Sequence, residues 1–401
     1  MEWVNKNLGK IPVKSWCREP EADALKQVAN LANHPVVVKH IALMPDCHVG
    51  YGIPIGGVIA CKNALIPNAV GVDIGCGVCA VKTNLPSSEI NKETIQKILN
   101  TLKRSVPIGE GNAHKSPQKW DGFENILRRP AGLDNSSWDL AKCNLGTLGG
   151  GNHFIEIQHG NDGFIWLMIH SGSRNLGYRI AEYYHKLAIE IDKKYNEKLP
   201  DRQLAFLHSD SKEGQNYIED MNFALEYARE NRRRIIDVFK NEFVYYVKNT
   251  EFLSEINIHH NYASFELHFE EKLWIHRKGA TSARKNEYGI IPGSMGTASY
   301  IVEGLGNAES FMSSSHGAGR KLGRLQACKT LNKEECERAM KGIVFDGFKR
   351  KSNRFNRKNL GEFYDLEEAP QAYKNIEEVI SSELDLVKPI VKLFPLGVIK
   401  G

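Results

Sequence analysis

The sequence predicts an α+β fold: one large mixed domain over residues 1–401, with a strand-rich core and peripheral helices. Three observations predict it. Strand-like and helix-like stretches are segregated along the chain and do not alternate as a βαβ array would. No internal repeat or low-complexity linker offers a place to divide the chain. Neither a Walker-type phosphate loop nor a G-x-G-x-x-G after a strand is present, which argues against the common parallel nucleotide-binding folds.

The elements follow in order. Residues 20–33 carry apolar positions at helical spacing. Val36-Val37-Val38 and Ile41-Ala42-Leu43-Met44 read as buried strand ending at Pro45-Asp46-Cys47-His48. Residues 50–85 are rich in glycine and β-branched residues, with apolar runs between turns. Residues 88–105 read as a helix with a serine near its start as N-cap, and 107–134 as irregular surface. Residues 154–158 and 164–169 read as two strands around the turn His159-Gly160-Asn161-Asp162-Gly163. Long helices are expected over 176–197 and 212–248, then strands near 265–268 and 273–276. The last third reads as short helices and loops.

The chain has 401 residues, enough to bury a large core. There is no apolar run of about 18 residues, so no membrane span is expected. Met1-Glu2-Trp3-Val4-Asn5 lacks the pattern of a signal peptide, so a cytoplasmic location is expected. In that reducing setting the eight cysteines are expected to be thiols or metal ligands. A net charge of +5 permits a polyanionic partner without requiring one.

Five short segments carry residue types that soft divalent metals and phosphates need, most of them mixed with glycine. Asp73 and Cys76 form D-x-x-C in a glycine-rich turn, where a thiolate could bridge two borderline ions or the cysteine could be a small buried hydrophobe. Cys76 and Cys79 also read C-x-x-C. No second such pair completes a structural zinc module, and Cys79 begins an apolar strand and reads as core. His153 follows Gly149-Gly150-Gly151-Asn152, and His170 opens His-Ser-Gly-Ser-Arg. Histidine is the commonest metal ligand. His260 is a third candidate, with His259 equally suited on chemistry alone. Asn152 and Glu156 could instead grip a nucleotide.

Ser315-His316-Gly317-Ala318-Gly319-Arg320 differs in kind. Its histidine could act as a nucleophile, its small-residue turn admits a phosphate, and its arginine can clamp one. Gly293-Ser294-Met295-Gly296-Thr297-Ala298-Ser299 offers amides and hydroxyls for another anion cradle. Two basic stretches remain. Arg232-Arg233-Arg234 lies on a helix, and 348–358 holds six basic residues and two phenylalanines. Each suits phosphate contact, or is a solvated face.

Taken in order, these segments resemble the RtcB-type RNA ligases, bacterial branch, over nearly the whole chain. The likeness runs from Met44-Pro45-Asp46-Cys47-His48 to Glu368-Ala369-Pro370-Gln371-Ala372-Tyr373-Lys374 and the terminal Lys400-Gly401. The resemblance implies an RtcB-type fold and a GTP- and manganese-dependent ligase. Such an enzyme joins a 2′,3′-cyclic phosphate or 3′-phosphate RNA end to a 5′-hydroxyl end, with broken tRNA or other structured RNA as substrate. It implies that His316 carries GMP as a phosphoramidate and that GMP then passes to the RNA 3′-phosphate. Two Mn²⁺ ions would be held by Asp73, Cys76, His153, His170 and His260, with Cys76 bridging. The guanylate would be met by Asn152, Phe154, Glu156, Ser294, Ser299, Gly319, Tyr373 and Lys400. Arg174, Arg320 and Asp46 would face phosphate or RNA. An activating helper protein is compatible with the family, and a monomer is expected. Asn175 stands where the family commonly has glycine, and no cysteine lies within Ser313-Ser314-Ser315 before His316. The stretch 349–358 matches no family motif.

Overall fold

Two antiparallel-dominated sheets organise the chain. The structure, a computed structural model, describes residues 1–351 and 363–401. One sheet has six strands in the order Trp3–Asn5, Val13–Ser15, Val37–His48, Ile55–Cys61, Glu271–Lys278 and Asn261–His268. The other has seven: Phe252–His259, Gly77–Pro86, Phe164–Ser171, Phe154–Gly160, Val387–Lys400, Ser299–Gly304 and Tyr288–Ile291. Strands far apart in sequence are neighbours in both sheets, and the helices lie around them, so the expected α+β class holds.

The long helix Lys212–Tyr246 packs on the second sheet. Its Ile235, Ile236, Phe239 and Phe243 share one core with Val81, Leu167 and Ile169. Each fully buried side chain of this size contributes about 1.5–3 kcal/mol. That anchoring fixes the height of the residues one turn earlier, Asn231 and Arg232, which also face inward.

Several boundaries differ from expectation for identifiable reasons. The helix expected from residue 88 is Lys92–Ser105; its cap is Asn91, whose side chain accepts from the Thr94 amide, and Ser87–Glu89 forms a separate 3₁₀ turn. The strand expected to end at Pro45-Asp46-Cys47-His48 takes in all four residues, with a register shift between Leu43 and His48. The last third is less loop-like than expected. It contains the 14-residue strand Val387–Lys400, in which Pro389 and Pro395 obscured the strand pattern. The ladder shifts register beside both prolines, which accommodates their missing amide hydrogens. Phe252–His259, not anticipated, pairs with Gly77–Pro86.

Candidate active site

The site forms where the chain passes from one sheet to the other. Phe252–His259 belongs to the second sheet and Asn261–His268 to the first, and His260 occupies the crossing. Asp73 and Cys76 lie in the turn that enters Gly77–Pro86, and the Cys76 amide donates to the Asp73 carbonyl. Gly77 is required there: a Cβ would stand 1.9 Å from the Ile258 carbonyl oxygen. This close approach lets the His260 amide donate to the Cys76 carbonyl at 2.9 Å. His170 lies across the ladder from both Val78 and Phe154, so His153 arrives at the same end of the sheet.

Five side chains converge as a result. Cys76 Sγ is 3.2 Å from His170 Nε2 and 3.4 Å from His153 Nε2. His170 Nε2 is 3.0 Å from His260 Nε2, and His153 Nε2 is 3.6 Å from Asp73 Oδ2. Two triads, Cys76–His170–His260 and Asp73–Cys76–His153, each bring their donor atoms within 4.8 Å of one another and share the thiol. His153 Nδ1 is engaged by the Leu148 carbonyl at 2.9 Å, which turns Nε2 toward the cluster. Confinement opposes the Asp73 charge, yet His153, Arg174 and Ser173 hold its carboxyl well below the usual range. Burial, with the neighbouring Asp73, pushes the Cys76 thiol up. Burial holds His170 and His260 well below the ordinary histidine value, so both are neutral lone-pair donors. One thiol, three neutral imidazoles and a carboxylate fit two borderline divalent ions better than a hard cation such as magnesium. Cys79 is fully buried in the apolar core and pushed up to about 12 by burial, in keeping with a core residue. His259 stands outside both triads, its Nδ1 3.0 Å from the Gly75 carbonyl oxygen.

Beneath the cluster lies Arg232, fully buried. It donates to the carbonyls of Gly75 at 2.8 Å and Ser171 at 3.0 Å, to Asn257 Oδ1 at 2.7 Å, and toward His259 Nδ1 at 3.0 Å. It thus ties together the residues flanking Cys76, His170 and His260. The expectation of phosphate contact or a solvated face for this arginine is corrected: its helix turns it into the protein. Arg233 and Arg234 pair with Glu230 on the helix surface. Helical spacing could have signalled the difference, because Asn231 and Arg232 fall on the same face as Ala224, Tyr227, Ala228 and Ile235.

His316 follows the short strand Ser313–Ser315, which pairs with Ala280–Ser282, and the Ala280 amide donates to the His260 carbonyl. The His316 ring therefore sits 4.8 Å from the His260 ring. The fully buried Asp46 holds His316: Oδ2 lies 2.6 Å from Nδ1 and 3.1 Å from the backbone amide. Asp46, expected to face phosphate or RNA, thus has its carboxylate on the His316 imidazole. Gly319, expected at the nucleotide, packs on the same aspartate: at φ +73°, a Cβ there would stand 2.3 Å from the Asp46 carbonyl oxygen. Behind them Glu383 Oε2 accepts from the Ser315 amide at 2.9 Å, and burial raises this carboxyl to about 8.

A cavity of about 980 Å³ opens beside the cluster, lined by Asp73, Asn152, His153, Arg174, Glu368 and Lys400 among others. The Arg174 guanidinium lies 3.2 Å from His153 Nδ1 and donates to Thr147 Oγ1. Lys400 Nζ reaches the Asn152 carbonyl at 3.4 Å and Glu368 at 3.3 Å, and it lies 5.3 Å from the centre of the Phe154 ring. Glu156 accepts from Gln158, which also donates to Ser299 Oγ at 3.2 Å, so these two predicted residues share one network. Burial raises Glu156 to about 7, against the pull of Lys400 and Gln158. Ser294 Oγ is 2.9 Å from Thr297 Oγ1. Arg320 is engaged by protein: it donates to Glu368 at 3.1 Å, to the Glu367 carbonyl at 2.6 Å and to the Tyr373 hydroxyl at 3.2 Å. Glu368, to which the sequence reading gave no role, links Arg320, Tyr373 and Lys400. Of the basic stretch, Phe348 packs partly buried against Phe345, and residues 352–358 lie outside the described residues.

No helix among the described residues is long and apolar enough to cross a membrane. A family model described as tRNA-splicing ligase RtcB matches residues 27–401. The RNA-splicing ligase RtcB of Escherichia coli K12 is 37% identical over 97% of this chain and 97% of its own length. The tRNA-splicing ligase RtcB of Nanoarchaeum equitans is 34% identical over 100% of this chain and 98% of its own length. The RNA-splicing ligase RtcB of Mycobacterium bovis is 30% identical over 94% of this chain and all of its own.

Proposed function

The chain belongs to the RtcB family of RNA-splicing ligases, and from that premise we propose that this RNA ligase is driven by GTP and two manganese ions through a guanylylated His316. The observation that carries the proposal is the setting of His316. Asp46 occupies Nδ1 at 2.6 Å, so Nε2 keeps its lone pair, and the ring packs against His260 of the cysteine-centred cluster. A nucleophilic imidazole beside residues that would hold two metal ions suits attack on a phosphate.

Cys76, His170 and His260 would hold one ion and Asp73, Cys76 and His153 the other, with the Cys76 sulfur common to both. Bound there, divalent ions neutralise phosphate charge and align attacking and leaving oxygens. The protein's residues do the remainder. His316 Nε2 attacks the α-phosphorus of GTP, forming a P–N bond and releasing pyrophosphate. Asp46 keeps the Nδ1 proton in place and stabilises the positive charge that grows on the ring. Glu156, Ser294 and Ser299 would read the polar edge of guanine, Phe154 and Tyr373 would flank it, and Asn152 and Lys400 would meet the nucleotide beside them. Arg174, on the cavity wall, would take an RNA phosphate; Arg320 would serve through Glu368 and Tyr373. Water first opens a cyclic phosphate at its bond to the 2′-oxygen, leaving a 3′-phosphate; an oxygen of that phosphate takes GMP as the P–N bond to His316 breaks, and the incoming 5′-hydroxyl then attacks the RNA phosphorus and displaces GMP. The ligase would work as a single catalytic unit in the cytoplasm, as a monomer, on tRNA or another structured RNA, with or without a helper protein.

The test uses two RNA fragments, one ending in a 2′,3′-cyclic phosphate and the other beginning with a 5′-hydroxyl. Joining is expected with GTP and manganese, and not with either one alone. Joining that proceeds equally with ATP, or without any nucleotide, would overturn the proposal.

A further inference from the structure

Directly behind Asp46 lies a pair of thiols that the reaction does not use. Cys17 follows the strand Val13–Ser15, which runs parallel to Val37–His48 with Ser15 opposite Leu43; the Trp16 amide still donates to the Leu43 carbonyl at 2.8 Å. Two residues beyond Ser15, Cys17 enters the same apolar cluster as Cys47, and the two thiols are hydrogen-bond partners. Both are buried in one apolar cluster, Cys17 3% exposed and Cys47 fully enclosed. Lys374 is the cation of this spot. Its Nζ is 3.7 Å from Cys17 Sγ and donates to the carbonyls of Cys47 at 2.6 Å and Pro45 at 3.2 Å.

The two thiols differ in reactivity. The hydrogen bond from Cys47 and, against the effect of burial, the Lys374 charge bring Cys17 down to about 7; the same hydrogen bond and complete burial push Cys47 up. Cys17 is therefore the more readily ionised of the two, beside a neutral thiol able to resolve it.

We propose that Cys17 and Cys47 form a reversible, peroxide-responsive disulfide that turns the ligase off by displacing Asp46 from His316. The chemistry balances with hydrogen peroxide as oxidant. The Cys17 sulfur attacks one peroxide oxygen; an S–O bond forms, the O–O bond breaks, and the departing hydroxide takes up the proton that Cys17 had lost, giving water. The Cys47 sulfur then displaces the sulfenic oxygen; the S–S bond forms, the S–O bond breaks, and the Cys47 proton leaves with the hydroxide as a second water. Two thiols and one peroxide become one disulfide and two waters, and a dithiol reductant reverses the change.

The coupling to the site is steric. Asp46 and Cys47 are consecutive and are packed between two glycines. A Cβ at Gly56 would stand 2.8 Å from Asp46 Oδ1 and 2.9 Å from Cys47 Cα, and one at Gly319 2.3 Å from the Asp46 carbonyl oxygen. Drawing Cys47 toward Cys17 cannot be absorbed by slack around Asp46, so its carboxylate shifts on His316 Nδ1. Oxidation also removes the Cys17 thiolate from Lys374, which holds the carbonyls on either side of Asp46.

The consequence for activity rests on the proposed function, whereas formation of the disulfide does not, and the experiment separates the two. The manganese-loaded protein is treated with hydrogen peroxide; unreduced peptides are mapped by mass spectrometry, and GMP labelling is timed before and after dithiothreitol. The expected result is a Cys17–Cys47 linked peptide, a labelling rate at least tenfold lower, and recovery of both on reduction. Cys17→Ser and Cys47→Ser should each label at the parental rate and lose the reversible inhibition. Any loss persisting in these variants and accompanied by oxidised Cys76 is damage to the metal site. Folded protein that yields no linked peptide overturns the proposal, as does a linked peptide with an unchanged rate. If the untreated protein shows no labelling, the functional reading fails, while the peptide map still decides whether the disulfide forms.

Discussion

Replacing Arg232 with methionine is expected to weaken metal binding far more than it weakens the fold. The side chain makes four contacts: to Asn257 Oδ1 at 2.7 Å, the Gly75 carbonyl at 2.8 Å, the Ser171 carbonyl at 3.0 Å and His259 Nδ1 at 3.0 Å. His259 Nδ1 also lies 3.0 Å from the Gly75 oxygen, so that pair satisfies itself when the arginine is gone. The Ser171 carbonyl and Asn257 Oδ1 are left unpaired, each at about 1–3 kcal/mol. Against this, burial pushes the Arg232 guanidinium down to about 10, and the variant is relieved of that buried charge, worth about 3 kcal/mol. The two effects offset, so the metal-free variant should lose no more than about 3 kcal/mol. Metal binding is different, because it fixes Cys76 as a thiolate next to Gly75, whose carbonyl Arg232 holds. A cation and a thiolate 4–8 Å apart attract by roughly 2–4 kcal/mol at an effective dielectric constant of about 20. Manganese affinity should therefore fall at least about 30-fold. Urea unfolding of the metal-free protein measures the first quantity, and equilibrium dialysis against manganese measures the second. A folded variant with parental manganese affinity would refute the reasoning.

The remaining expectations follow from single features of the site. Cys76→Ser should diminish binding of both metal ions, because its sulfur belongs to both triads, whereas Cys79→Ala should leave binding intact; metal titration of the pair decides, and equal losses would contradict the bridging role. Glu156 is raised to about 7 by burial, so GMP binding read by calorimetry should be constant above that pH and weaken about tenfold per unit below it. The sign follows from the need for an ionised acceptor opposite the guanine donors, and Glu156→Gln should flatten the profile; a flat parental profile would remove Glu156 from the nucleotide. Neutralising Arg350, Arg354 and Arg357 together should weaken RNA binding and lower its log–log salt slope by roughly 0.7 per lost contact, with GMP labelling unchanged. Parental affinity and slope would make that stretch a solvated surface.

Much of this organisation was legible in the sequence, for physical reasons. Segregated strand and helix patterns gave the α+β class because a period of 2 and a period of 3.6 are distinct signals. Asp73, Cys76, His153 and His170 stood out because each lies within two residues of a glycine, whereas only the resemblance separated His260 from His259; the fold brings these five within a few ångströms. What escaped notice lay in partnerships between remote residues. Asp46 sits 270 positions from His316, and no local spacing reveals that its carboxylate serves the histidine. Glu368 reads as a surface glutamate until Arg320, Tyr373 and Lys400 surround it. Arg232 looked like one member of a basic run, although its helical phase placed it beside Ala228 and Ile235 on the buried face. The strand Val387–Lys400 was hidden by two prolines, which a ladder tolerates where its register shifts.

The most direct test of the central claim is incubation of the protein with α-³²P-labelled GTP and manganese, followed by denaturing electrophoresis. The account predicts a covalent GMP label that is acid-labile, comparatively stable to alkali, and located by peptide mapping at His316. It predicts no label in a folded His316→Ala variant. Undiminished labelling of that variant, or a label found on a different residue, would contradict it.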